Sequence, residues 1–316
     1  MRVGIAQLDG RLPNLAVMKL ASYYREQGHE VVVTKGPETL PTDIHRCYGS
    51  AIFAYSSPLI DRLKCRFSDA IVGGTGTLDP RTVEQEIGQE WEKYDYSDYP
   101  DFKASIGFTQ RGCRLKCSFC VVPWKEGKPK SVATIHEIWR GKPWPKKIHL
   151  LDNDFFGQPK EQWEARVAEI REGNFRVCLN QGINIRLVNE ESAAALASIQ
   201  YRDDQFQRRR LYTAWDNLGD EKRFFDGVDT LERAGIPPKH LMAYMLIGFD
   251  IAETWERIFH RFNRMVARGI RPYPMVYDQK RKDLKHFQRW VITGLYRAVP
   301  WDEYRPWILY QERLIA

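Results

Sequence analysis

Three cysteines, Cys113, Cys117 and Cys120, sit within eight residues in the run RGCRLKCSFC (111–120), in a chain with only three others, Cys47, Cys65 and Cys178. The spacing is C-x3-C-x2-C. A structural zinc site usually draws four ligands from two C-x2-C knuckles, and no second knuckle exists here. A [4Fe–4S] cluster normally takes four thiolates. Three thiolates would leave one iron open, and an open position is where chemistry can happen. Six cysteines in 316 residues are too sparse for a disulfide framework. In a reducing compartment such a cluster is expected to bind metal rather than form disulfides.

The remaining composition sets the scale of the scaffold. The chain is 43% hydrophobic and 28% charged, enough for one large domain or a medium and a small one. Apolar runs such as LMAYMLIGF (241–249) are far too short to span a bilayer. The start, MRVGIAQLDGRLP, lacks the apolar core and cleavage site of a signal peptide. A cytoplasmic protein with no membrane partner is therefore expected. Charge is uneven: residues 1–100 carry 11 Lys/Arg against 14 Asp/Glu, while residues 101–316 hold 37 against 27. A basic C-terminal two-thirds suits a polyanionic substrate such as nucleic acid, and equally a solvated basic face.

Two series of elements must position the cysteines. Residues 1–78 read as a small alternating α/β unit with strands at 2–8, 29–34, 50–56 and 69–77 and a helix over 13–28. GGTG (73–76) follows a strand but matches neither GxGxxG nor a P-loop. Residues 79–103 are acidic and tyrosine-rich and read as a linker. From 104 to 316 a regular series begins. Strands are expected at 104–110, 146–153, 175–183, 209–217, 241–250 and 271–279. Helices are expected at 131–141, 160–173, 189–199, 220–235, 252–269 and 283–299. Six βα units imply a parallel sheet curled into a TIM-like partial (β/α)6 barrel, with functional loops at the carboxyl ends of its strands. The cysteines follow its first strand, on that side.

This combination resembles the radical S-adenosylmethionine (SAM) superfamily: C-x3-C-x2-C, an aromatic before the last cysteine, and a six-unit βα series. The resemblance implies that Cys113, Cys117 and Cys120 hold a [4Fe–4S] cluster and that the methionyl end of SAM chelates the fourth iron. One electron, delivered by an external flavodoxin- or ferredoxin-like reductant, would then split SAM. The 5′-deoxyadenosyl radical so formed would abstract hydrogen from the substrate. Phe119 carries over as the aromatic beside adenine. MLIGFDIAE (245–253) is similar to the family's fifth-strand segment and brings Ile247, Gly248 and Glu253 toward SAM, although no glycine stands at its first position. The family's Gly-Gly-Glu motif is absent. In its place LLDNDFFG (150–157) offers Asp152, Asn153 and Asp154, either for the SAM amine or as a turn or helix cap. Asn180, Gln181 and Arg186 leave the third strand and are candidates for the ribose or carboxylate of SAM. Trp215, Asp216, Tyr277 and Asp278 are substrate-side candidates, with Trp and Tyr equally suited to the core. Lys125 and Lys128, in PWKEGKPK (123–130), could draw an anionic substrate. Cys178, on a strand, reads as a small core residue. The run QRRR (207–210) reads as a solvated charge run.

The first unit resembles a trimmed, flavodoxin/Rossmann-like cobalamin-binding domain. That domain's ligand histidine belongs in DxHxxG directly after the first strand, where this chain reads LDGRLPN (8–14). DIHRCYG (43–49) follows the second strand and has one residue too many. Cobalamin is therefore disfavoured. The methylthiotransferase branch expects further cluster cysteines and is set aside. The expectation is a radical SAM enzyme that modifies or rearranges a nucleotide or nucleic-acid base. Two alternatives remain: a cobalamin-dependent radical SAM methyltransferase, and a metal-stabilised nucleic-acid-binding module without enzymatic activity.

Overall fold

The computed structural model describes residues 1–79 and 81–304 and divides into two units after Ile106. The chain is mixed α/β, with parallel sheets in both units.

The first unit holds β1 (Arg2–Gln7), α1 (Leu15–Glu26), β2 (Glu30–Lys35), β3 (Arg46–Ser50), α2 (Ser57–Arg66), β4 (Ile71–Gly73) and α3 (Val83–Ile87). Its sheet runs β2-β1-β3-β4, parallel throughout. The pleat sorts the side chains. Val3 and Ile5 pack with Val17 and Leu20 of α1, while Ala6 and Val72 pack with Leu63 of α2. Asn14 starts α1 by accepting the Ala16 and Val17 amides on its side chain. The stretch 79–103, expected as a linker, falls inside this unit. Lys19 bridges Glu84 and Glu92, Arg25 meets Asp95 and Asp98, and the Tyr99 hydroxyl donates to Gln7 at 2.8 Å. Its acidity has a purpose in the cations of α1.

The series then continues with β5 (Ser105–Gly107), which straddles the division, and β6 (Gln110–Arg111), α4 (Val122–Lys125), β7 (Lys130–Ser131) and α5 (Ile135–Ile138). Next come β8 (Lys147–Leu150), α6 (Lys160–Glu172), β9 (Arg176–Leu179), α7 (Glu190–Ser198) and β10 (Gln200–Tyr201). The last elements are β11 (Leu211–Ala214), α8 (Glu221–Arg233), β12 (Leu241–Ile247), α9 (Trp255–Ala267), β13 (Arg271–Val276) and α10 (Lys282–Ile292). One sheet is ordered β10-β9-β8-β5 and another β11-β12-β13. The amide of Ile183, just past β9, donates to the Tyr212 carbonyl on β11 at 2.8 Å, carrying backbone bonding from one sheet to the next.

All six expected strands of this series are present, shorter at their ends. Two helices differ. The 131–141 pattern yields only α5, because the chain turns extended at Trp139 and Gly141 then takes φ +75°. The 283–299 pattern stops at Ile292, where Gly294 at φ +80° breaks it; the end of the expected 104–316 unit, beyond residue 304, lies outside the described residues. Along β12, buried and half-buried residues alternate. Leu241, Ala243, Met245 and Ile247 meet the helices, whereas Tyr244 turns the other way and stacks on Tyr212 at 5.9 Å. Cys178 is fully buried on β9, and burial pushes its thiol well above its usual range. No helix among the described residues is long and apolar enough to cross a membrane.

Candidate functional site

The cysteine loop is a closed device. β6 and β7 pair antiparallel at its base, with Gln110 opposite Ser131 and Arg111 opposite Lys130. Gly112 has φ +80°, and a Cβ there would lie 2.3 Å from the Lys128 carbonyl oxygen, so only glycine lets the two limbs meet. The Cys113 amide donates to the Gly127 carbonyl at 3.2 Å. Glu126 sits in the middle of the base. It accepts from Arg111, from the Gly112 amide and from Asn153 at 2.7 Å. Burial pushes its carboxyl up, but Arg111 and the other donors outweigh that and hold it below the usual range.

The segment after β8 grips this loop at three successive residues. Asp152 accepts the Thr109 amide at 2.7 Å, the Gln110 amide at 3.2 Å and the Thr109 hydroxyl. Asn153 holds Glu126. Asp154, 1% exposed, takes Arg114 in a two-pronged ion pair at 2.7 and 2.9 Å. Its own amide donates to the buried Gln110 side chain at 2.9 Å. The three residues expected near the SAM amine are therefore engaged with the loop that carries the cysteines. Complete burial pushes the Asp152 carboxyl up to about 7.

Each of the three sulfurs receives one N–H. The Leu115 amide donates to Sγ of Cys113 at 3.4 Å. The Arg186 guanidinium donates to Sγ of Cys117 at 3.7 Å. The Val122 amide serves Cys120. Burial raises the thiols of Cys113 and Cys120, and neighbouring cysteine charge raises both further. The donors at the sulfurs oppose that rise without reversing it at Cys113 and Cys120. Among the described residues no three His, Cys, Asp or Glu side chains are already drawn together tightly enough to hold a metal ion.

A cleft of about 810 Å³ opens beside the loop. Ser118 and Phe119 line it with residues 216–219 after β11, Leu246, residues 249–251 after β12, and Glu253, Arg257 and Arg261. Phe119 meets Phe249 edge to face at 5.5 Å, and Phe249 meets Tyr277 at 4.9 Å. Gly248, at φ +78°, donates its amide to Glu253 at 2.6 Å. Arg261 is 1% exposed yet charged. It donates to the carbonyls of Trp215, Asp216 and Leu246 at 2.9–3.0 Å and to Glu253. It thus ties the ends of β11 and β12 together beneath the cleft. Burial raises the Asp216 carboxyl; the Leu246 amide, bonded to it at 2.8 Å, and Arg261 oppose the rise.

Of the residues singled out from sequence, Phe119, Asp216 and Glu253 line this cleft together. Arg186 bridges Cys117 and Asp220, the latter at 2.6 Å. Ile247 is fully buried, and Trp215, 1% exposed, stacks on Phe224 in the core. Asn180 bonds His149 at 3.0 Å, Gln181 is exposed, and Lys125 and Lys128 lie on the cysteine loop outside the cleft lining. Asp278 caps a turn by accepting the Lys280 amide. Sequence reasoning missed Glu126, Arg114 and Arg261. Arg261 did carry a signal: it interrupts the apolar stripe Ile258, Phe262, Met265 of α9.

In the first unit, Asp9 follows β1 where a ligand histidine was sought. Its carboxylate accepts the Ile52 and Phe53 amides at 2.8 and 2.9 Å and the Ser56 hydroxyl at 2.6 Å. His45 precedes β3 at the opposite, amino end and accepts the Arg2 amide. The GGTG glycines have a packing reason: a Cβ on Gly74 or Gly76 would strike the backbone of Ala51 or Phe53.

Compared with known proteins, the chain matches no family model, and no curated protein matches it.

Proposed function

We propose that this protein is a radical SAM enzyme, with the second unit as the family's partial (β/α)6 barrel. One observation carries the reading: three cysteines on a clasped loop after the first strand of a parallel series, each sulfur supplied with an N–H donor, beside a cleft lined by Phe119. Cys113, Cys117 and Cys120 would hold a [4Fe–4S] cluster, which when bound supplies the electron for reductive cleavage of SAM.

The chain's own residues do the rest. The three N–H donors favour the anionic sulfurs and so lower the cost of bringing them together. Glu126, Asp152, Asn153 and Asp154 fix the loop and with it the spacing of the sulfurs. Phe119 and Phe249 offer apolar ring surface to adenine in the cleft. Asp216 and Glu253 offer carboxylates to the ribose hydroxyls or the methionyl amine, and Arg257 a cation to its carboxylate. Arg261 keeps the strand ends at fixed spacing. A partly closed cleft limits water around the reacting carbon.

The substrate we infer is a nucleotide or nucleic-acid base, in keeping with the basic balance of residues 101–316. In the first unit Asp9 already engages the turn where a corrinoid ligand would act, so nothing specific favours the cobalamin-dependent alternative.

The test is anaerobic reconstitution with iron and sulfide, then dithionite and SAM. Wild-type protein should turn brown and release 5′-deoxyadenosine; Cys117→Ala should do neither. A colourless zinc protein that binds SAM nowhere would return the reading to a metal-stabilised binding module.

A further inference from the structure

A row of cations runs along the amino ends of the second unit's strands, the ends opposite the cysteine loop. Arg176 opens β9, residues 208–210 are three arginines directly before β11, Lys239 and His240 precede β12, and Arg271 opens β13. The register keeps these ends level: Leu211 lies opposite Leu241, and Met242 opposite Arg271. Arg202 follows β10, whose Gln200 is level with Arg176.

Most acids on the neighbouring helices are already paired. On the helices, Arg233 pairs with Glu190, Arg264 with Glu221, and Arg268 with Asp229 and Glu232. Among the described residues, Arg176, Arg202, Arg208, Arg209, Arg210, Lys239 and Arg271 make no ion pair. Asp203 is the acid within the row; its carboxylate accepts the Gln207 amide at 2.8 Å and also acts on Arg202 and Arg210. The cations also act on one another. After burial, Arg209 and Arg176 lower Arg202 and Arg271 lowers Arg210, while Asp203 offsets part of this at both.

The row is also held in place. Arg210 donates to the carbonyls of Lys239 and Leu241 at 3.3 Å, and Arg209 lies over the Tyr201 ring at 5.6 Å. Tyr201 in turn bonds His240 at 2.8 Å. Like charge that is only partly offset destabilises the folded chain, and packing does not account for exposed Arg208 and Lys239. Guanidinium groups on successive strand ends, roughly 4.8 Å apart from strand to strand, suit the repeated phosphates of a polymer. No large apolar side chain is exposed between residues 188 and 248 among the described residues, so the rim has nothing to insert into a bilayer.

We propose that this rim binds the phosphodiester backbone of a nucleic acid. The inference rests on the radical SAM reading only for its meaning, that the substrate is a polymer rather than a free nucleotide; the binding itself is independent of the cysteines. The experiment uses the full chain and a fluorescein-labelled single-stranded RNA or DNA 20-mer, with anisotropy followed from 50 to 300 mM NaCl. Wild type should bind with a steep salt dependence. The triple variant Arg208→Gln/Arg209→Gln/Lys239→Gln should bind at least tenfold more weakly. Its log–log salt slope should fall by about 2, since each single-strand phosphate left without its cation removes about 0.7. Arg208→Lys/Arg209→Lys should retain most of the slope. An unchanged slope in the triple variant would overturn the proposal. So would binding only to phosphatidylserine vesicles or polyglutamate. The triple variant should still cleave SAM without nucleic acid, so loss of cleavage in Cys117→Ala and loss of binding here report on separate claims.

Discussion

Arg186 donates to Sγ of Cys117 at 3.7 Å while its other amino group holds Asp220 at 2.6 Å. One side chain thus links the end of the β9 segment to the cysteine loop and to the start of α8. Burial pulls its guanidinium down, but Cys117 and Asp220 outweigh this and raise it above its usual range. Arg186→Met should remove both bonds and leave Asp220 only the more distant Arg223, at 4.0 Å. The expected cost is about 1 kcal/mol, because Asp220 is only half-buried and keeps Arg223 nearby. A denaturant titration measures it. The reconstituted variant should also retain less iron per chain after desalting. Unchanged iron content and midpoint would show the Arg186 bonds to be incidental.

Asp154 is 1% exposed and pairs with Arg114. Asp154→Ala should free the first half of the cysteine loop without unfolding the sheet. Trypsin cleavage after Arg114 or Lys116 in the metal-free protein is the readout. A loss of about 1.4 kcal/mol in local stability corresponds to a tenfold faster cut. Equal rates in variant and wild type would mean the loop is held by other bonds.

Much of this architecture could be read from the residues, and the reason is periodicity. The six expected strands and the helices 160–173, 189–199, 220–235 and 252–269 all left apolar patterns of the right repeat. Glycines punctuate their ends, as Gly235 and Gly269 do at positive φ. The loop clasp could not be read. Asp152 and Asp154 contact residues about forty positions earlier, and no local pattern records that a carboxylate will be spent on a distant amide. The same applies to Glu126, one acid in a lysine-rich run, PWKEGKPK, whose lysines drew the attention. The acidic stretch 79–103 advertised its charge but not its partners, Lys19 and Arg25 on α1.

Asp152 gives the loop a pH signature. Its carboxyl is raised to about 7 in the folded protein from an ordinary value near 3.8. Between those values the folded state holds a proton that the unfolded chain has released, so stability falls as pH rises through the window and levels off above about 7. At 1.36 kcal/mol per unit, the upper bound is about 4 kcal/mol. Asp152→Asn keeps the shape and removes the titration. The difference in unfolding free energy between wild type and variant, measured from pH 4 to 8, should therefore drift in the variant's favour as pH rises. A difference independent of pH would contradict the burial argument.

Gly112→Ala tests the loop base. The new Cβ would need the left-handed region, about 1–2 kcal/mol for an L-residue, and would collide with the Lys128 carbonyl. We expect weaker iron retention with far-ultraviolet circular dichroism unchanged. The exposed Gly235, also at positive φ but with open space around it, is the control: Gly235→Ala should leave iron retention alone.

The account stands most directly on SAM cleavage by the reconstituted wild-type protein. Under strict anaerobiosis, with dithionite and SAM and with a single-stranded nucleic acid present, the account predicts 5′-deoxyadenosine well above the level given by Cys113→Ala, Cys117→Ala or Cys120→Ala. A protein carrying an intact, reducible cluster that forms no 5′-deoxyadenosine above those variants would contradict it.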